Sequence, residues 1–175
     1  MLKSRKKKVT PKKMAFDIWG AFVQVMQHDF DEGNKHDKDV FKAKHGFDYD
    51  KKCFTEESQF LFTFLIYNEV ENHFHEKKVE ILKEVTEILK ENDMEFLLEP
   101  LKDYSIAWYD ALARELEIKD DSGLNNPLYC VSKLASIRCF GEEKGGDADK
   151  IIMFSGRILD FVGMLSENFK RYSVV

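Results

Sequence analysis

Apolar residues crowd most densely into SQFLFTFLIYNEVENHFHEKKVEILKEVTEILK, residues 58 to 90. At about 100° per residue, Phe60, Phe64, Tyr67, Val70 and Phe74 fall on one stripe of a helix. Leu61, Phe62, Leu65 and Ile66 cover its other faces, and a helix apolar all round leaves no face for water. From Lys77 the pattern turns one-sided, with Ile81, Leu82, Val85, Ile88 and Leu89 inward and Lys and Glu outward. Run on without a break, the two stripes lie within about 60° of each other. Glu71, His75 and Lys78 interrupt them at i, i+4 and i+7. Either the helix breaks between His73 and Lys77, or one long helix carries a polar notch. The break is the preferred expectation, because helices of this length are uncommon, although no Gly or Pro stands between Gly46 and Pro100 to force it.

The flanking elements follow from caps and breakers. Thr10-Pro11 starts a helix that runs to about Phe30, with Ile18, Trp19, Phe22, Val23, Val25 and Met26 inward. Residues 31 to 54 are polar and of mixed charge, with a short helix around Asp37 to Lys44 stopped by Gly46; Thr55 then starts the central segment. Asn92-Asp93 ends that segment ahead of a short turn. Pro100 opens a helix to about Glu117 with Leu101, Tyr104, Trp108, Ala111 and Leu112 inward. After a loop from Asp120, Asn126-Pro127 opens another helix, which carries Val131 and Leu134 inward and stops at Gly141. GEEKGGDADK reads as a flexible loop whose Asp147 or Asp149 caps the last helix, about Lys150 to Arg171. That helix repeats apolar residues at Ile151, Phe154, Ile158, Phe161, Leu165, Phe169 and Tyr172. Gly156 and Gly163 share an adjoining face with Ile152 and Leu159, and suggest a close helix crossing. No strand pattern and no internal repeat are visible. The expected fold is all-α: a single-domain bundle of five to seven helices, residues 10 to 175, around a long central helical segment.

Composition narrows this little. The chain has 175 residues, enough for one domain that buries about 70% of its unfolded surface. An apolar share of 43% beside 34% charged residues is ordinary, and the fifteen Phe at helical spacings belong to a core. No stretch suits a membrane span, and no apolar segment follows the basic start as in a secretory signal. Cys53, Cys130 and Cys139 are odd in number and form no C-x-x-C, which points to reduced structural thiols in a cytoplasmic protein.

Charge changes the picture more. Lys3, Arg5, Lys6, Lys7, Lys8, Lys12 and Lys13 give the first 13 residues seven basic side chains and no acid. The rest holds 20 basic against 32 acidic residues, a formal charge of −12. With so little apolar content, residues 1 to 9 are expected to be a disordered basic tail. Such a tail attracts phosphates, anionic lipid or an acidic partner in a salt-dependent way, or simply stays solvated. It carries no interleaved aromatic to stack on bases, and the acidic body speaks against an extended nucleic-acid groove.

Candidate chemistry is sparse. Glu69, Glu71, His73, His75 and Glu76 cluster, but no His follows a Glu by three residues as a carboxylate-bridged metal bundle requires. His73 and His75 point about 160° apart on a straight helix, so they read as surface histidines, with His28, His36 or Asp31 as distant helpers only. DFDEGNKHD lacks the glycine register and the closing Glu of a calcium loop. Phosphate loops, nucleophile elbows and zinc-protease helices are absent from the sequence. Ser155 lies inside a helix as a packing residue, and Tyr104, Trp108 and Tyr109 read as core before they read as a pocket. The expectation is therefore a non-enzymatic interaction or regulatory protein, without metal or cofactor, that presents helical faces and a basic arm and meets a protein partner or another copy of itself, the tail adding weak electrostatic contact with nucleic acid or an anionic membrane. The alternative is a bundle, an enzyme among the options, that binds a metal or small ligand near Glu71, His75 and Lys78.

Overall fold

The computed structural model describes residues 6–31, 51–117 and 126–175. In chain order these form strand β1 (Lys7–Val9) and helices α1 (Pro11–Asp31), α2 (Lys51–His73) and α3 (Lys78–Glu91). A 3-10 turn (Glu95–Leu98) follows, then α4 (Leu101–Glu117), α5 (Pro127–Phe140), α6 (Glu142–Gly145), α7 (Ala148–Arg171) and strand β2 (Tyr172–Val174). The short helix expected around Asp37 to Lys44, its Gly46 stop and nearly all of the loop after Asp120 lie outside the described residues.

The all-round apolar pattern of α2 sets the architecture. Leu61, Phe62, Phe64, Leu65, Ile66 and Val70 are all buried, and α2 packs against α1, α3, α4, α5, α7 and the 3-10 turn. Aromatic pairs mark these contacts. Phe62 stacks on Phe161 of α7 at 4.4 Å, and Phe64 stacks on Tyr104 of α4 at 5.6 Å. Around this axis α1 lies along α3, and α5 along α7. The helix is already formed at Lys51, ahead of the start expected at Thr55.

The predicted starts and stops are visible in the backbone. Lys13 N–H donates to Thr10 Oγ1 at 3.2 Å, and Leu128 N–H to Asn126 Oδ1 at 2.8 Å. Gly141 ends α5 at φ 81°, a conformation that disfavours a side chain. At α7 the cap differs from expectation. Asp147 makes no side-chain cap bond, and its carboxylate instead accepts from Lys150 Nζ at 2.8 Å. Lys150 is buried, donates also to the Lys144 carbonyl at 2.7 Å, and lies over the Phe140 ring.

Three expectations are corrected. Residues 7 to 9 do not belong to a structureless tail: β1 pairs in parallel with β2, in the register Lys7↔Tyr172, Lys8↔Ser173, Val9↔Val174. Val9 is buried in the core. Strands of three residues are too short to show an alternation, and the partners stand at opposite ends of the chain, so no local pattern marks them. The GEEKGGDADK stretch is not a plain loop, since Glu142–Gly145 forms a helical turn folded back on α5. Finally, among the described residues no helix crosses at Gly156 or Gly163. Both are exposed, and a Cβ at either meets no atom within 4 Å. The close approach occurs at Gly145, where a Cβ falls 2.4 Å from Ile137 Cα.

Opposite stability effects follow for chemically identical changes. Gly156→Ala and Gly163→Ala should each stabilise by about 0.5–1 kcal/mol, because a helix-interior glycine gives up chain entropy on folding and open space surrounds both positions. Gly145→Ala should destabilise by about 1–3 kcal/mol, because backbone must shift to admit the methyl. Urea titration of the three variants checks the signs; a neutral Gly145→Ala would contradict the packing of α6 on α5.

Candidate functional site

The α2 axis ends at an elbow. After His73 the chain makes a turn, with Lys77 N–H donating to the Phe74 carbonyl at 2.9 Å, and Lys78 begins α3. No glycine or proline causes this break. Phe74 is held by the end of α7, edge-on to Phe169 at 4.9 Å, while α3 turns away to bury Ile81, Val85 and Leu89. The two halves of the apolar run therefore serve different neighbours. The break leaves His75 and Glu76 exposed at the corner.

β2 leaves the end of α7 and passes this corner. Between them lies an open cleft of about 350 Å³, with His73, His75 and Lys77 on the elbow side, Tyr172 and Ser173 on the strand side, and Lys6 at the foot of β1. His73 stays on the last turn of α2, with Nδ1 3.0 Å from the Glu69 carbonyl and 3.4 Å from Glu69 Oε2. Burial raises the Glu69 carboxyl above the ordinary range, and His73 pulls it back. Lys77 Nζ donates to Glu80 at 2.9 Å. Among the described residues, no group of three His, Cys, Asp or Glu side chains is placed to hold a metal ion.

The structure does not bring Glu71, His75 and Lys78 together as a triad. Their i, i+4, i+7 spacing presumes a continuous helix, and the elbow removes it. Lys78 Nζ approaches Glu71 Oε1 at 3.8 Å with both side chains about 40% exposed, whereas His75 joins the cleft. Glu71 lines a separate groove against α4. Of the basic residues, Lys6, Lys7 and Lys8 are exposed along β1, and Lys12 and Lys13 on the first turn of α1. Lys13 pairs with Asp17; Lys3 and Arg5 lie outside the described residues. The strand pairing adds Lys170 and Arg171, immediately before β2, which nothing in the local sequence connects with the tail. Tyr104 is core, Trp108 packs partly buried against Phe64, and Tyr109 is exposed.

A buried polar strut also escaped the sequence. Glu57 of α2 is 5% exposed; it accepts from the Tyr104 hydroxyl of α4 and from Arg138 Nε of α5 at 2.9 Å. Arg138 Nη1 reaches Asp103 at 3.3 Å, and its guanidinium lies over Phe60. Nearby, Cys53 Sγ donates to the Cys139 carbonyl at 3.2 Å, and none of the three cysteines is in a disulfide. The available signal was a carboxylate set on the face shared by Leu61 and Phe64. Burial pushes the Glu57 carboxyl above its ordinary range, while the Tyr104 hydrogen bond and Arg138 pull it back part of the way. Burial, then the neighbouring Glu57 carboxylate, raises the Tyr104 phenol well above its usual value.

The raised Glu57 carboxyl makes stability fall with pH. Between the ordinary value of 4.5 and its raised value, the folded chain holds a proton that the unfolded chain has released. That contribution is whole below the ordinary value and is lost as pH rises through the raised one. Urea midpoints from about pH 4 to about pH 7 should therefore decline less steeply in Glu57→Gln than in the native chain. Glu69, raised in the same direction, keeps some slope in both. Equal slopes would contradict the assignment. No family model, curated protein or solved structure matches the chain.

Proposed function

We propose that this is a non-enzymatic interaction or regulatory protein of the cytoplasm, which meets an acidic protein partner at the end of the bundle where the chain's two termini pair. One observation carries this reading: the β1–β2 ladder displays Lys6, Lys7 and Lys8 on the surface next to Lys170 and Arg171, with Lys77 across the cleft. The charge of Lys6, Lys7 and Lys8 is thereby part of a basic patch. Glu80 and Glu167 neutralise Lys77 and Lys170 in part, and leave the strand lysines as its main cations.

An acidic surface of a protein suits the patch better than a long polyanion. Beyond the patch the body is acidic, with a formal charge of −12 outside the first 13 residues. A nucleic-acid strand or a membrane plane extending past the patch meets that repulsion within a Debye length, about 8 Å at physiological salt. No helix among the described residues is long and apolar enough to cross a membrane.

Deleting residues 1 to 9 is the wrong test, because it also removes buried Val9 and the whole of β1. Replacing Lys6, Lys7 and Lys8 together by Gln keeps the strand and removes its charge. A Glu-rich peptide should bind the native chain at low salt, weaken steeply at high salt, and bind the triple variant about tenfold more weakly at unchanged melting temperature. Binding equal in both proteins, or tighter binding to single-stranded DNA or anionic vesicles than to the peptide, would overturn the reading.

A further inference from the structure

On the other flank of the elbow, α2 and α4 enclose a groove of about 120 Å³. Its walls are Phe64, Tyr67 and Tyr109, with Asn68 inside, Glu71 at the rim and Ser105 opposite. Asn68 is 7% exposed, and its Nδ2 is buried without a hydrogen-bond partner. A buried donor left unmet costs about 1–3 kcal/mol, so an asparagine kept there calls for an acceptor. Neither neighbouring hydroxyl accepts from it. The Tyr67 hydroxyl donates to Thr86 Oγ1 at 2.6 Å, Thr86 itself donating to the Leu82 carbonyl, and burial raises the Tyr67 phenol above its usual range. Ser105, in the lining, donates to the Leu101 carbonyl at 2.7 Å, so its hydroxyl oxygen keeps its acceptor capacity.

The groove thus offers three ring walls, a carboxylate, spare oxygen lone pairs and one unmet amide donor. Aromatic faces and a carboxylate favour a positive charge; the amide donor favours an oxygen close to it. We propose that this groove binds a small organic ammonium compound with a hydroxyl or carbonyl oxygen a few bonds from the nitrogen. The ammonium sits between Glu71 and the rings of Tyr67 and Tyr109, and the oxygen accepts from Asn68 Nδ2 once the amide, closed to solvent in the free chain, swings toward the groove. Lys78, 3.8 Å from Glu71 across the elbow, is the internal cation that such a ligand displaces. The groove shares no lining residue with the cleft at the basic end, so the two sites stand or fall separately.

Nuclear magnetic resonance titration of the full-length chain with ethanolamine, methylammonium and ethylene glycol tests this, read on the Asn68 side-chain amide and on backbone amides of α2 and α4. Ethanolamine should shift these signals saturably, methylammonium should bind more weakly, and ethylene glycol should not saturate. Glu71→Gln should weaken ethanolamine by about tenfold, as loss of a charged hydrogen-bond partner does. Lys78→Gln, which removes the competitor, should tighten it. Glu71 and Lys78 are half-exposed and isosteric or near-isosteric Gln replaces each, so neither change threatens the fold, whereas Asn68 is left untouched as the reporter. Three outcomes overturn the proposal: no saturable shift with ethanolamine, equal binding of ethylene glycol, or indifference to Glu71→Gln. Binding that Lys78→Gln leaves unchanged overturns the placement of the ammonium at Glu71.

Discussion

A helix with no polar face has to be wrapped, and that requirement organises the whole molecule. Leu61, Phe62, Leu65 and Ile66 are each at most 3% exposed, and full burial of such side chains is worth about 1.5–3 kcal/mol apiece. No single neighbouring helix covers more than one side, so five helices and a 3-10 turn close around α2. Within that shell Glu57 is the exception, a carboxylate that survives burial because Tyr104 and Arg138 reach it from two different helices. The strut fixes how α4 and α5 sit against α2, since removing either donor leaves charge in the core. Arg138 is half-exposed, so losing one partner of Glu57 costs about 1–3 kcal/mol, comparable to burying one of the apolar side chains.

The elbow is the second consequence. The apolar run would continue as one helix, but its two halves face different neighbours: α7 and α5 for the first, α1 for the second. Tertiary packing therefore breaks the helix where local sequence does not, at the polar residues that cost least to expose. The corner then shapes both recesses, the cleft toward β2 and the groove toward α4. The strands fasten the chain's beginning to this same end. Ordering three residues costs about 1–2 kcal/mol each, against one buried valine and a few backbone hydrogen bonds worth about 1 kcal/mol each. The β ladder is thus at the low end of local stability while α2 is at the high end.

Helical periodicity made much of this legible. The inward residues of α3 and α7 were readable one by one, because 3.6-residue spacing reports a face without reference to any partner. Caps at Thr10 and Asn126 and the stop at Gly141 were readable for the same reason. Pairings distant in the chain were not. Val9 with Val174, and Glu57 with Arg138, are each met only once the fold has formed, and neither leaves a periodic trace. Gly156 and Gly163 misled because a glycine signals freedom of approach without saying whether anything approaches; Gly145 had the real neighbour. Glu71, His75 and Lys78 were singled out as marking an interruption, and the break falls at His75 between the other two; the groove needed Asn68, whose unmet amide only the fold reveals.

Amide hydrogen exchange tests the central claim directly, that everything is packed around α2. Amides from Leu61 to Ile66 should exchange only through global unfolding, slower than those of α1, α4 or α7, while Lys8 and Val9 exchange by local opening of the ladder. If the amides of α2 exchanged faster than those of the helices around it, the central helix would not be what holds the bundle together.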